Sequence, residues 1–315
     1  MTSPYRIGTR KSPLALKQTD ILVKSLQQAH AKDLRIQNPE IVGITTTGDC
    51  VQDKSLSEIG GKALFVKEIE QALFEKRIDF AVHSLKDVEA NLCPDFQLAC
   101  VLEREVVNDV LIVKSRAHEV SVGCLKTDAI VGTCSPRRKA QLLDLRPDLR
   151  VVPLTGNILT RLVKLEEGAL DAIVLAFAGL KRLDLFEDDA QLKGHPNLKS
   201  CLLSLEEMIP AVGQGVLVAE ILKSDKATFD FLKTISHKET EVCIRAERSL
   251  LKEMGGDCKT PIAAYCSFTS SSELFLKVFY APLELKKSIR IELCGAADDP
   301  ELLGIRAGIE LKKRL

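Results

Sequence analysis

Four short segments place reactive residue types where an apolar run gives way to a loop or helix start. The first is Arg6-Ile-Gly-Thr-Arg10-Lys11-Ser12-Pro13. A helix start beside Arg10, Lys11 and Ser12 offers backbone N–H groups and positive charge to an anion, although an ordinary N-cap with surface basics has the same composition. In the second, Ala81-Val82-His83-Ser84-Leu85-Lys86-Asp87, a buried strand runs directly into His, Ser, Lys and Asp. An apolar wall raises a carboxyl pKa and a neighbouring lysine lowers it. Asp87 is therefore suited to general acid work or to facing a developing cation; the alternative is a polar strand exit with a structural salt bridge. His83 reads first as a satisfied core histidine. The third segment is Thr133-Cys134-Ser135-Pro136-Arg137-Arg138, with Thr155-Gly156-Asn157 and Arg161 downstream. Paired arginine forks suit carboxylate or phosphate, or they form a solvated basic helix start. The fourth, Met254-Gly-Gly-Asp257-Cys258-Lys-Thr-Pro261, is a glycine-rich loop carrying one thiol. On residue chemistry alone an incidental loop thiol is the commoner outcome. Gly60-Gly61-Lys62 is a similar loop bearing a lysine.

The elements that position these segments follow from periodicity. Residues 6–9 and 40–45 read as strands. Ser12 and Pro13 open a helix reaching about residue 30, with serine as cap and proline in the first turn. Residues 62–76 form an amphipathic helix with Leu64, Phe65, Ile69, Ala72 and Leu73 on one face, and 78–83 form a buried strand. The order helix, turn, apolar-Asp-x-x-Val recurs at 159–175, which predicts two similar α/β units with mixed, mostly parallel sheets covered on both faces. The crossover between them falls near 103–109. A return strand at 211–221, led by Gly213-Gln214-Gly215, makes the first unit discontinuous. The expected division is 1–104 with 205–224, then 105–204, then 225–315. Two connections between lobes form a hinge over a ligand cleft. The last part reads as a charged helix over 230–253, strands at 262–268, 274–280 and 288–293, and a helix over 299–315: a small α+β domain with a three-stranded antiparallel sheet.

Bulk properties narrow the function classes. The 315 residues carry 44 Lys plus Arg against 44 Asp plus Glu, a balance that argues against a general nucleic-acid binder while leaving room for a local cationic cleft. No apolar run is long enough to span a bilayer, and the N-terminus lacks the apolar stretch of a secretion signal. The expectation is a protein that remains where it is made: cytoplasmic, or organellar if a transit peptide once preceded it. None of the ten cysteines forms a C-x-x-C pair, so no metal site is expected. Reduced thiols, mostly small core residues, are the default.

Taken in order, the segments R-I-G-T-R-K-S-P-L-A-L, T-G-D, G-G-K-A-L-F-V-K-E-I-E, D-F-A-V-H-S-L-K-D-V, V-G-T-C-S-P-R-R, G-N-I-L-T-R-L, D-A-I-V-L-A-F-A-G-L-K-R-L, P-A-V-G-Q-G and G-G-D-C-K-T-P resemble the porphobilinogen deaminase family. The resemblance covers nearly the whole chain. It implies two periplasmic-binding-protein-like lobes plus a C-terminal domain, and a monomer that acts on porphobilinogen. It implies a dipyrromethane cofactor held as a thioether on Cys258 and bound by Ser84, Lys86, Asp87, Thr133, Ser135, Arg137, Arg138, Asn157 and Arg161. It implies Arg10, Ser12, Lys62, Arg161 and Gln214 at the substrate, and Asp87 as the catalytic acid beside azafulvene and pyrrolium cations. Four substrate molecules would be joined head to tail with loss of ammonia, and water would then release hydroxymethylbilane. Thr155 stands where the family usually has arginine, Asp257 where glycine is usual, Cys134 for Ser, Pro136 for Leu, Glu89 for Pro, and Val106-Val107-Asn108 for Asp-Pro-Arg. A carboxylate beside Cys258 disfavours its thiolate. Rival readings are a weakened relative and a two-lobed anion-binding module; a phosphate-handling enzyme lacks its P-loop pattern.

Overall fold

The computed structural model describes residues 3–50, 66–114, 120–186, 191–256, 260–282 and 287–315. Its first sheet contains β1 (Arg6–Arg10), β2 (Glu40–Ile44), β3 (Phe80–Ser84), β4 (Phe96–Val101) and, returning late in the chain, β11 (Leu217–Leu222), in the order β2-β1-β3-β11-β4. The second contains β5 (Asp109–Lys114), β6 (Ile130–Gly132), β7 (Arg150–Val152), β8 (Ala172–Ala176), β9 (Gln191–Leu192) and β10 (His195–Leu202), in the order β7-β6-β8-β5-β10-β9. Both sheets are mixed. Pairing is parallel only across β2-β1-β3 and β7-β6-β8, and antiparallel elsewhere. The parallel part is thus smaller than "mostly" suggested, because β11 and β5 enter each sheet as crossings between lobes and run against their neighbours.

Helices cover both faces, as continuously apolar strands require. On the first sheet, α1 (Pro13–Ala29) and α8 (Lys226–Lys233) bury Leu22, Leu26 and Leu232 against Ile7, Phe80 and Val82. The short α2 (Leu34–Gln37) and α3 (Thr47–Cys50) follow α1 and β2, and α4 (Lys67–Phe74) packs Ile69, Ala72 and Leu73 on the opposite face. On the second sheet, α5 (Pro136–Leu145) contributes Leu142 to one face. There, α6 (Ile158–Glu166) and α7 (Phe177–Arg182) contribute Leu162, Leu165 and Leu180 to the other.

The echoed motif holds at atomic detail. Asp79 accepts from the Arg6 backbone N–H at 2.7 Å and donates its own N–H to the Arg6 carbonyl at 2.8 Å. Asp171 makes the same reciprocal pair with Ile130, at 2.8 and 2.9 Å. In each unit the aspartate fastens the start of the strand after the helix to the start of its parallel neighbour.

The chain leaves the first sheet through 102–108 and returns through 203–216. These crossings bind each other: Glu105 N–H donates to the Gly215 carbonyl at 3.1 Å, and Arg104 Nε to the Gln214 carbonyl at 2.9 Å. Gly215 has φ +87°, and a Cβ there would lie 2.5 Å from the Glu105 carbonyl oxygen.

The C-terminal sheet joins β12 (Ile262–Ser270), β13 (Glu273–Tyr280) and β14 (Ile289–Ala296) in antiparallel order. Against it pack α9 (Lys238–Glu253) and α10 (Pro300–Lys313), through Ala246, Leu250, Leu303 and Ala307. The single helix expected over 230–253 is two. The His237 side chain caps α9 by accepting from Thr240 N–H, and the His237 backbone N–H donates to the Val101 carbonyl at 2.8 Å. Glu247 on α9 is fully buried, and its carboxylate accepts from the N–H groups of Gly213 and Cys266, each at 2.9 Å, and from the Arg104 guanidinium. One side chain therefore ties both crossings to the third sheet.

Gly215→Ala places a side chain where both φ and space forbid it. It is expected to lower stability by more than about 1 kcal/mol, read as a lower denaturant midpoint at unchanged slope. A wild-type midpoint would contradict the packing of the crossings.

Candidate active site

Where the first crossing enters the second sheet, Asp109 is fully buried at the start of β5. Arg137 Nη1 lies 2.7 Å from its Oδ2, and Arg138 Nη2 lies 2.8 Å from its Oδ1. Gln214 Nε2 donates to Oδ1 at 2.9 Å. Ser135 starts α5 as its cap and accepts from Arg138 N–H at 3.4 Å, while Thr133 Oγ1 accepts from Ser135 N–H at 3.2 Å. This turn aims both arginines inward. Arg137 also donates to the Ile209 carbonyl, and Arg138 to the Val174 carbonyl. Burial alone would raise the Asp109 pKa, but the two guanidinium groups outweigh it and hold the carboxyl well below its usual range.

Opposite stands the turn that ends β3. Leu85–Asp87 form one 3-10 turn, with Leu85 buried and Asp87 exposed. Lys86 Nζ approaches Gln214 Oε1 at 3.5 Å, so Gln214 connects Lys86 to Asp109. Burial, and then the charge of Arg138, pushes the Lys86 pKa down to about 8, with Asp87 and Asp109 opposing. From α6, Arg161 donates Nε to the Gly156 carbonyl at 2.7 Å. Its pKa is lowered by burial and by Arg138, while Cys134 and Asp87 act to raise it. Asp87 on the first lobe and Arg161 on the second therefore lie within electrostatic reach of each other. Among the described residues, the Arg161 Nη atoms have no hydrogen-bond partner.

A small cleft at the edge of the first sheet is lined by Arg10, Ser12, Gln18, His83, Ser84 and Asp87. Arg10 pairs with Asp49, Nε to Oδ1 at 3.2 Å. Ser12 caps α1 through Ala15 N–H at 3.2 Å. Ser84 Oγ accepts from Gln18 Nε2 at 2.8 Å.

Most residues singled out from the sequence lie around these features. Arg137 and Arg138 are buried and paired with Asp109, while Arg138 Nε has no hydrogen-bond partner among the described residues. Gln214, expected at the substrate, is fully buried and acts as a connector. Asn157 caps α6, accepting from Thr160 N–H at 2.9 Å, and the Thr155 carbonyl accepts from Lys164 Nζ at 3.4 Å. Lys62 and Cys258 lie outside the described residues. Sequence reasoning missed Asp109 and Gln18. A glutamine four residues after Leu14 and four before Leu22, on the inward face of α1, was the available signal for the second.

A dipyrromethane bears several carboxylates and needs cations not already neutralised. Arg161 and Lys86, on opposite walls beside Asp87, meet that requirement, and the residues present fit the group.

Fold and site together define a two-lobed α/β protein with a cation-lined cleft and a third, antiparallel domain. The family model described as "Porphobilinogen deaminase, dipyromethane cofactor binding domain" matches residues 5–230, and the one described as "Porphobilinogen deaminase, C-terminal domain" matches 241–313. The chain belongs to the porphobilinogen deaminase family, which makes it a transferase with a dipyrromethane cofactor. It is 41% identical over 290 residues to "Porphobilinogen deaminase" of Rickettsia prowazekii (strain Madrid E), covering 92% of this chain and 91% of that one. It is 43% identical over 289 residues to the protein of the same name from Rickettsia canadensis (strain McKiel), covering 91% and 90%. Among solved structures, the second substrate binding domain of a putative amino acid ABC transporter from Streptococcus pneumoniae Canada MDR_19A is 13% identical. It covers 80% of this chain and 94% of that one at a TM-score of 0.44.

Asp109→Asn leaves two buried guanidinium groups without their counter-charge, at an expected cost of about 3–5 kcal/mol at neutral pH. Because the folded pKa is depressed, this stabilisation is complete above about pH 4, where the unfolded carboxyl is also ionised. It fades as pH falls toward the lower folded value. Denaturant titrations of both proteins across that window should therefore converge toward low pH; a constant gap would contradict the assignment.

Proposed function

We propose that this chain condenses four porphobilinogen molecules head to tail on a dipyrromethane primer bound through Cys258. Ammonia is released at each step, and water finally frees hydroxymethylbilane. The observation that carries this reading is the juxtaposition of Asp87 and Lys86, at the exit of β3, with Arg161 and the Asp109-bound arginines across the cleft.

When bound, the primer supplies a nucleophilic pyrrole α-carbon. The chain's own residues do the rest. Asp87 hydrogen-bonds the aminomethyl nitrogen as ammonia departs and then faces the positive charge left on the substrate ring. Lys86, Arg161, Arg10 and Lys62 receive acetate and propionate groups, with Ser12, Ser84 and Ser135 as hydroxyl donors. Thr133, Asn157, Arg137, Arg138 and Gln214 fix the turns and the wall that carry these groups. The working units are 1–104 with 205–224, 105–204, and 225–315, with the cleft between the first two. The protein acts as a monomer on a small molecule, without nucleic acid or membrane, in the compartment where tetrapyrroles are made.

Asp87→Asn is expected to fold, to keep its primer and to turn over about 10²–10⁴-fold more slowly. Intact mass should exceed the sequence mass by two pyrrole units, and Cys258→Ser should remove that excess. Near-wild-type turnover by Asp87→Asn, or no added mass on the wild-type chain, would defeat the reading. Thr155→Arg restores a cation beside Arg161 and should lower KM for porphobilinogen; an unchanged KM would place position 155 out of contact.

A further inference from the structure

A second group of ionisable side chains lies beneath the cleft. His83 on β3 and Glu220 on β11 point to the α4 face of the first sheet, Nε2 to Oε2 at 3.1 Å, with side chains 5% and 0% exposed. Neither Glu220 oxygen has a hydrogen-bond partner among the described residues. His83 Nε2, 3.1 Å away, likewise has no hydrogen-bond partner among the described residues, and a buried carboxylate is costly unless such a neighbour meets it. His83 also lines the cleft that holds Asp87. Among the described residues, Glu70 from α4 and Arg248 from α9 are charged groups that feel this pair, and Glu89, just after the Asp87 turn, acts in turn on Glu70. Arg248 is engaged by the carbonyls of Val88, Glu89 and Ala90. Burial first, and then the charge of Glu220, pushes the Glu70 pKa up to about 7.

Resting on the proposed deaminase reading, we propose that the His83–Glu220 pair accepts the proton a pyrrole α-carbon gives up each time a ring is added. In each addition a C–C bond forms at that carbon, and the C–N bond of the substrate's protonated aminomethyl group breaks, its electron pair leaving on nitrogen as NH3. The carbon's hydrogen departs as H⁺. His83 takes that proton from the cleft, Glu220 balances the resulting imidazolium, and the proton then passes to the released ammonia, giving ammonium. Asp87 is thereby kept as a carboxylate facing the cationic ring. His83 is the acceptor; Glu220 is a positioning residue acting through it.

The test compares wild type, Glu220→Gln and His83→Gln, each with its primer verified by mass. Both variants are expected to lose about 10²-fold or more in kcat with KM little changed. The acidic limb of the kcat–pH profile should move to lower pH in Glu220→Gln and vanish in His83→Gln. Independently of turnover, the ring-nitrogen NMR signals of His83 should change over a pH range that moves lower in Glu220→Gln, as loss of the adjacent negative charge dictates. Wild-type kcat with an unmoved limb in both variants, or ring signals indifferent to Glu220→Gln, overturns the proposal. If Glu220→Gln does not fold, Glu220→Asp takes its place and should likewise lower kcat with KM little changed; wild-type kcat with an unmoved limb in both Glu220→Asp and His83→Gln overturns the proposal equally. Absence of porphobilinogen turnover by the wild-type chain would instead sink the deaminase reading, and the ring-signal comparison would then decide the pair alone.

Discussion

The buried carboxylate of Asp109 is the constraint on which the arrangement of the cleft depends. It sits where the chain crosses from one lobe to the other, and it neutralises two arginines that begin the helix after the neighbouring strand. Taking two guanidinium groups out of water is costly unless a counter-charge and carbonyl acceptors meet them in good geometry, and here both are present. Through Gln214 the same carboxylate reaches Lys86 on the opposite lobe. The start of β5, the cap of α5, the glycine-flanked return segment and the turn bearing Asp87 are thus fixed relative to one another by a single hydrogen-bonded assembly.

This assembly divides the cationic residues into two populations. Arg137, Arg138 and Arg104 are internally paired with Asp109 and Glu247, whereas Arg161 and Lys86 keep charge toward the cleft. Burial first, and then the charge of Arg138, lowers the pKa of both Lys86 and Arg161, so an anion placed between them would offset a cost that the folded chain carries. A chain of zero net charge can in this way present a strongly anion-seeking interior.

Much of the fold was legible in the sequence because it is written in local periods. The repeated apolar-Asp-x-x-Val pattern identified two related units, and Gly213-Gln214-Gly215 marked the return crossing. What was misread depended on distant contacts. Residues 230–253 contain no glycine or proline to announce a break; α8 ends because the Val101 carbonyl captures the His237 N–H. The pairing of Arg137 and Arg138 with Asp109 was not foreseen because that partner lies in a segment that reads as hinge. Glu220, a lone acid within Val-Ala-Glu-Ile, carries no sequence signal that its neighbour across the sheet is His83. The placement of Asp87 at the exit of a buried strand was legible because strand and turn lie within seven consecutive residues.

The clasp made by Glu247 has a mechanical consequence. Its oxygens grip the backbone of the return segment and of β12, and its arginine partner belongs to the outward segment. Rotation of one lobe about these strands cannot be absorbed locally without exposing a bare carboxylate in the interior. The torque is delivered to α9 and β12, so the third domain behaves as a gear meshed with the other two rather than as a pendant.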